Sequence, residues 1–143
     1  MEILLIVVLV YSVLHWAPKN WSIRLARPFT ALAIGMILSG LEHILNESSY
    51  ELIMMDWIPN KSVAIRISIA VRILGGIALF FPASRRVAAH VCFVLYCLVL
   101  PLNARVAFAG HAIENLKMPL WRRWLRLVLH FGWLAWCFWC MRI

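Results

Sequence analysis

Six side chains with chemistry stand where apolar sequence should exclude them: Glu42, Arg72, Asn103, Arg105, Arg126 and His130. An ionisable group inside hydrocarbon costs about 2.5–3.5 kcal/mol on insertion scales, so it faces the bundle interior and finds a partner. Glu42 is the single acid within the four long apolar runs, and is the natural partner for Arg126 or Arg105. That leaves arginine in excess. An arginine-rich pocket with one carboxylate and imidazoles suits an anion, or the carbonyl oxygens of a quinone. Arg donates along a rigid fork, and His relays a proton near neutral pH. A plainer reading stands beside this one. Glu42 and Arg126 can serve as an interhelical packing pair, and Arg66 and Arg122 lie close enough to the interface to snorkel. Arg72 is near mid-span, where snorkelling is strained.

The elements that must hold these residues are membrane helices. The 143-residue chain is 64% hydrophobic and only 14% charged, with a mean hydropathy of +0.86. A soluble domain is about 45–50% apolar and about 25% charged, so a water-soluble globule is excluded. A spanning helix needs about 20 mainly apolar residues. Four runs qualify, at 29–45, 63–81, 87–109 and 120–141. A fifth, at 3–16, is short and begins with Glu2 where a secretory signal would carry Lys or Arg. It reads as a fifth span that stays attached, with a cleaved signal or an interfacial helix as alternatives. The alternation of membrane β-strands is absent. The fold class is therefore all-α, a polytopic transmembrane helical bundle. The segment 1–16 is an N-terminal apolar helix and 27–143 a four-helix membrane domain.

Pro18, Pro28, Pro59, Pro82 and Pro119 stand where helices should end, and Pro101 falls inside the third long run. The net charge of +8 is distributed as membrane topology rather than as a nucleic-acid surface. Lys19, Arg24, Arg27, Arg85 and Arg86 mark one side, read as cytoplasmic. Glu47, Glu51 and Asp56 mark the other, although Arg122, Arg123 and Arg126 sit near that side too. With this orientation all six chemical residues fall in the outer half of the bilayer, with Arg72 roughly 9 Å deeper than Arg66 at about 1.5 Å per residue. The expectation is one polar cavity, open to the outer side, with walls from Glu42, Arg72, Asn103, Arg126 and His130.

An ordered set of short motifs covers residues 27–139. It runs through Ser39-Gly40-Leu41-Glu42-His43, Trp57-Ile58-Pro59, Gly76 to Pro82 with Arg85-Arg86, Pro101-Leu102-Asn103, and Trp121 with Arg126-Leu127-Val128-Leu129-His130. In order and spacing it resembles the DoxX-like membrane proteins. Two departures alter the presumed pocket: the family often has Glu where this chain has Arg72, and Gln where it has His130. The resemblance implies a four-helix membrane bundle in a bacterial inner membrane. It also implies a link to quinone chemistry, since some members are quinone-linked oxidoreductases or subunits of a quinol oxidase.

Other chemistry has weaker support. Cys137 and Cys140 form a C-x-x-C at a helix C-terminus, where the dipole disfavours thiolate, and with Cys92 and Cys97 they read as apolar cysteines. His15, His43, His90, His111 and His130 show no metal-ligand spacing. No nucleotide loop or nucleophile elbow occurs. Gly35, Ser39, Gly40, Gly75 and Gly76 mark close helix packing. The functional expectation is a quinone-linked redox component, with a bound quinone and no cofactor of the chain's own. Electrons would come from a partner redox subunit. The alternatives are a non-catalytic anchor or assembly subunit, or a small anion carrier acting as a homo-oligomer.

Overall fold

A computed structural model describes Ser12 and residues 21–109, 112–113 and 118–143. Apart from Ser12, the expected N-terminal span at 3–16 lies outside these residues. Within them the fold is all-helical, with no strand. The helices are α1 (Trp21–Leu45), α2 (Glu47–Ile53), α3 (Lys61–Phe80), α4 (Arg85–Ala109) and α5 (Leu120–Arg142). Four are long and apolar enough to cross a membrane: Pro28–Leu45 within α1, and α3, α4 and α5 over their full lengths. At about 1.5 Å per residue, the 20 residues of α3 reach about 30 Å, the thickness of the hydrocarbon core. The outward faces are also apolar, with Leu74, Leu98, Val128 and Phe131 all exposed. Such a surface is suited to lipid rather than water. The chain is a multi-pass integral membrane protein.

Local sequence explains the ends. Asn60, after Pro59, takes the left-handed conformation (φ 51°) that Asn tolerates, and α3 starts at the next residue. Phe81 is extended (ψ 122°) because it precedes Pro82, which closes α3. The turn then satisfies the last carbonyls of that helix. Ser84 Oγ donates to Ala78 O at 2.7 Å, and Arg85 Nε donates to Leu79 O at 3.2 Å. A cation at a helix C-terminus also complements the dipole. Pro119 precedes the first residue of α5.

Two local expectations need correction. Pro28 does not end a helix: α1 runs through it from Trp21, since a proline removes one backbone donor without forcing a break in every helix. The acidic connection at 46–62 is not plain loop either, because it contains α2.

The helices pack as two close pairs, α1 with α3 and α4 with α5, and the pairs meet along α3 and α4. Small residues set the first seam. A Cβ on Gly76 would lie 2.8 Å from Ile37 Cγ1 and 3.0 Å from the Ala33 carbonyl oxygen. A Cβ on Gly40 would lie 2.7 Å from Ile73 Cγ1. The apolar core fills the end of the bundle nearest the Pro82 turn, with Leu32, Met36, Leu79, Cys92, Cys137 and Cys140 buried there. Trp136 Nε1 donates to Pro28 O at 3.1 Å and ties α5 to α1 at this end. At the opposite end Met54, which follows α2, packs with Ile65 and Ile69 of α3.

Candidate functional site

Beyond the apolar core the two pairs enclose a cavity of about 410 Å³. From α1 come Ser39, Glu42 and His43, and from α2 Ser49 and Tyr50. Helix α3 contributes Arg72, and α4 contributes Tyr96, Val99 and Asn103. Helix α5 contributes Arg122, Arg126, Leu129, His130 and Trp133, which recur every three or four residues and so share one face. Five of the six residues singled out from sequence thus line a single space: Glu42, Arg72, Asn103, Arg126 and His130.

Arg105 does not. It lies two residues beyond Asn103, about 200° around a helix with 3.6 residues per turn, and points to another flank. There it donates to Met54 O at 2.6 Å and stands 3.5 Å from Asp56 Oδ2, fastening the connection after α2. Arg66 also stays outside, exposed, with Nε 3.2 Å from Glu47 Oε1.

One wall is a directed hydrogen-bond chain. Arg126 Nε donates to Asn103 Oδ1 at 2.7 Å. That fixes the amide orientation, so Asn103 Nδ2 donates to His130 Nδ1 at 2.9 Å. His130 must then carry its proton on Nε2, which donates to Tyr96 O at 2.8 Å. Both ring nitrogens of His130 are committed, and it holds the wall rather than offering a free base to the cavity. Tyr96 stacks on Trp133 with centroids 5.5 Å apart and gives its hydroxyl to Met36 Sδ at 3.2 Å.

The mouth is organised by Tyr50. His43 stacks on it at 3.7 Å between centroids, and the Arg126 guanidinium lies 5.3 Å from its ring centre. His43 Nδ1 also bonds to Ser39 O at 2.7 Å. Burial pushes the Tyr50 phenol above its ordinary range. Helix α2 is held over this mouth by Glu47, whose Oε1 accepts from Ser62 Oγ at 2.8 Å and from Arg66 Nε. The Ser62 hydroxyl, followed by Arg66, keeps that carboxyl below the usual range. Asp56 is lowered in the same way, first by its hydrogen bond from Lys61.

Arg72 forms the deep end of the cavity. It is 2% exposed, and its Nη1 donates to the Ser68 hydroxyl and carbonyl. Its Nε has no hydrogen-bond partner. No carboxylate among the described residues is within ion-pair distance of it. A buried cation with an unmatched donor is costly, and donors in native interiors are almost always matched.

The chain belongs to the family described as Domain of unknown function (DUF8561), which matches residues 32–141. No curated protein and no solved structure matches it. Every residue lining the cavity falls inside the matched stretch. The family description carries no activity, so the chemistry must be argued from the site itself.

Sequence reading passed over several of these side chains. Tyr50 was hidden in a segment read as loop, and Arg122 was read as snorkelling although it reaches the cavity rim. The face shared by Arg122, Arg126 and Trp133 was the available signal. Cys92, Cys137 and Cys140 are free thiols buried in the apolar core, away from the cavity lining. Among the described residues no group of three or more His, Cys, Asp or Glu side chains is placed to hold a metal ion.

Proposed function

We propose that the protein is a quinone-linked component of a bacterial inner membrane, and that the cavity at the α2 end receives the quinone head group from the outer half of the bilayer. The observation that carries this reading is Arg72, a buried guanidinium with Nε unmatched at the deep end of a cavity. A carbonyl oxygen in front of it would supply the missing acceptor. The remaining walls fit a substituted ring. Trp133, Tyr50 and His43 offer flat faces, Val99 and Leu129 apolar contact, and Arg126 and Arg122 further donors. The volume is within the roughly 300–1,000 Å³ typical of small-ligand sites. A bound quinone supplies two-electron, two-proton chemistry. The chain's own part is to bind and orient the ring, with Glu42 as the carboxylate beside it. Electrons would come from a partner redox subunit. The resemblance to DoxX-like proteins adds to this reading.

The test is extraction of purified protein and mass analysis for quinone, beside Arg72→Leu and Arg126→Ala variants. Quinone is expected with the unaltered chain and is lost from both variants. Quinone retained equally by all three, or found with none, refutes the proposal.

A second reading has an observation of its own. Arg126, Asn103 and His130 satisfy one another across α4 and α5, which is also what a purely structural network does. On that reading the protein is a non-catalytic assembly subunit. It would then copurify with a stable protein partner and no quinone.

A further inference from the structure

We infer that the preferred ligand of the cavity is an anion, with its charge on a planar oxygen group (an enolate or a carboxylate) carried by an apolar body. The inference rests on reading the cavity as the ligand site, and names the charge state that the site selects. Among the described lining residues three guanidiniums, those of Arg72, Arg122 and Arg126, face one carboxylate, that of Glu42. A neutral quinone would satisfy Arg72 Nε as an acceptor but leave the surplus positive charge in place. Water screens Arg122, which is exposed, but it does not screen Arg72, which is buried and beyond ion-pair distance of every described carboxylate. In a low-dielectric setting an opposite charge is the stronger partner for such a group. The forked guanidinium donor also favours a planar acceptor with two oxygens. Val99, Leu129 and Trp133 in the same lining suit a ligand whose remaining body is apolar.

The experiment uses the full chain in detergent and a matched pair of probes. One is a 2-hydroxy-3-alkyl-1,4-naphthoquinone, which is an enolate at neutral pH. The other is its 2-methoxy ether, which has nearly the same shape and no charge. An alkyl carboxylate of similar length is the third probe, and quenching of tryptophan fluorescence reads binding. The enolate is expected to bind about tenfold tighter than the ether, the step between a charged and a neutral hydrogen bond. The gap closes in Arg72→Met. It narrows in Arg122→Gln, which alters an exposed rim residue and keeps the test available if Arg72→Met does not fold. It also closes when the pH falls below the probe's own pKa.

Equal binding of enolate and ether overturns the anion inference and leaves the quinone site standing. A gap that persists in the arginine variants overturns it as well. Binding of the carboxylate without either quinone supports the charge inference and overturns the quinone reading. Binding of none of the three overturns both.

Discussion

Replacing Asn103 by Leu removes the central link of the polar wall and keeps the same side-chain branching. Two hydrogen bonds go: the 2.7 Å bond from Arg126 Nε and the 2.9 Å bond to His130 Nδ1. The first is charge-assisted, worth about 1.5–3 kcal/mol on the scale of soluble proteins, and the second about 0.5–1.5 kcal/mol. Interhelical bonds in membranes measure lower, about 0.6 kcal/mol on average with a maximum of about 1.7 kcal/mol. A sum near 2 kcal/mol lies between the two scales. Against it, the leucine methyls gain dispersion contacts with their neighbours worth about 0.5 kcal/mol. The net expectation is a loss of about 1.5 kcal/mol, which is roughly a tenfold change in the folding constant. The sign therefore separates two accounts. If Asn103 only fills space, leucine leaves the bundle unchanged or slightly more stable. If it links α4 to α5, the bundle weakens. Unfolding by SDS in mixed micelles, followed by tryptophan emission, gives the number, since Trp133 stacks on Tyr96 beside the network. A double cycle with Arg126→Met should return a coupling of about 1 kcal/mol for groups that share a bond. An Asn103→Leu variant as stable as the parent, or a coupling of zero, refutes the reasoning.

Two further outcomes are expected. Gly76→Ala places a methyl 2.8 Å from Ile37 Cγ1 and 3.0 Å from a backbone oxygen, so the α1–α3 seam must open, at about 1–3 kcal/mol for an overpacked core; an unchanged SDS midpoint would argue against that seam. The clasp on α2 should be acid-sensitive. The Glu47 carboxyl is lowered in the folded chain, so its contribution is complete above the ordinary carboxylate pKa and is lost as pH falls through the lower folded value. Thermal midpoints should hold steady from about pH 8 to 5 and drop below about pH 4, with a smaller drop in Glu47→Gln; equal drops in both chains would remove Glu47 as the cause.

The four long helices were legible because hydropathy over about 20 residues is a strong signal that tertiary packing does not override. The gathering of Glu42, Arg72, Asn103, Arg126 and His130 followed from depth alone, since a helix converts residue number into height. Depth says nothing about direction, and that is why Arg105 was placed with Asn103. Two residues apart on a helix, they cannot face the same way. Helix α2 was missed because seven residues of mixed polarity carry no period long enough to read. With it went Tyr50, the residue that brings His43 and Arg126 together. The anchoring of Arg105 on Met54 O was also invisible, because a backbone acceptor leaves no mark in the sequence.

The cavity is where two tight helix pairs meet without an apolar filler. Glycines bring α1 onto α3 at Gly40 and Gly76, and hydrogen bonds bring α4 onto α5 through Asn103. Near the Pro82 turn the space between the pairs is closed by Leu32, Met36, Leu79 and the buried cysteines. Toward α2 the positions that would continue this core hold Arg72, Asn103 and His130 instead, all three buried. Apolar side chains there would have packed as well, and an isolated charge in that position costs stability. His130 and Asn103 recover that cost through each other, whereas Arg72 donates to Ser68 and keeps its Nε donor unmatched. The deficit sits on one guanidinium that lines the cavity, and that is why the proposed anion is assigned to Arg72 rather than to the satisfied Asn103–His130 pair.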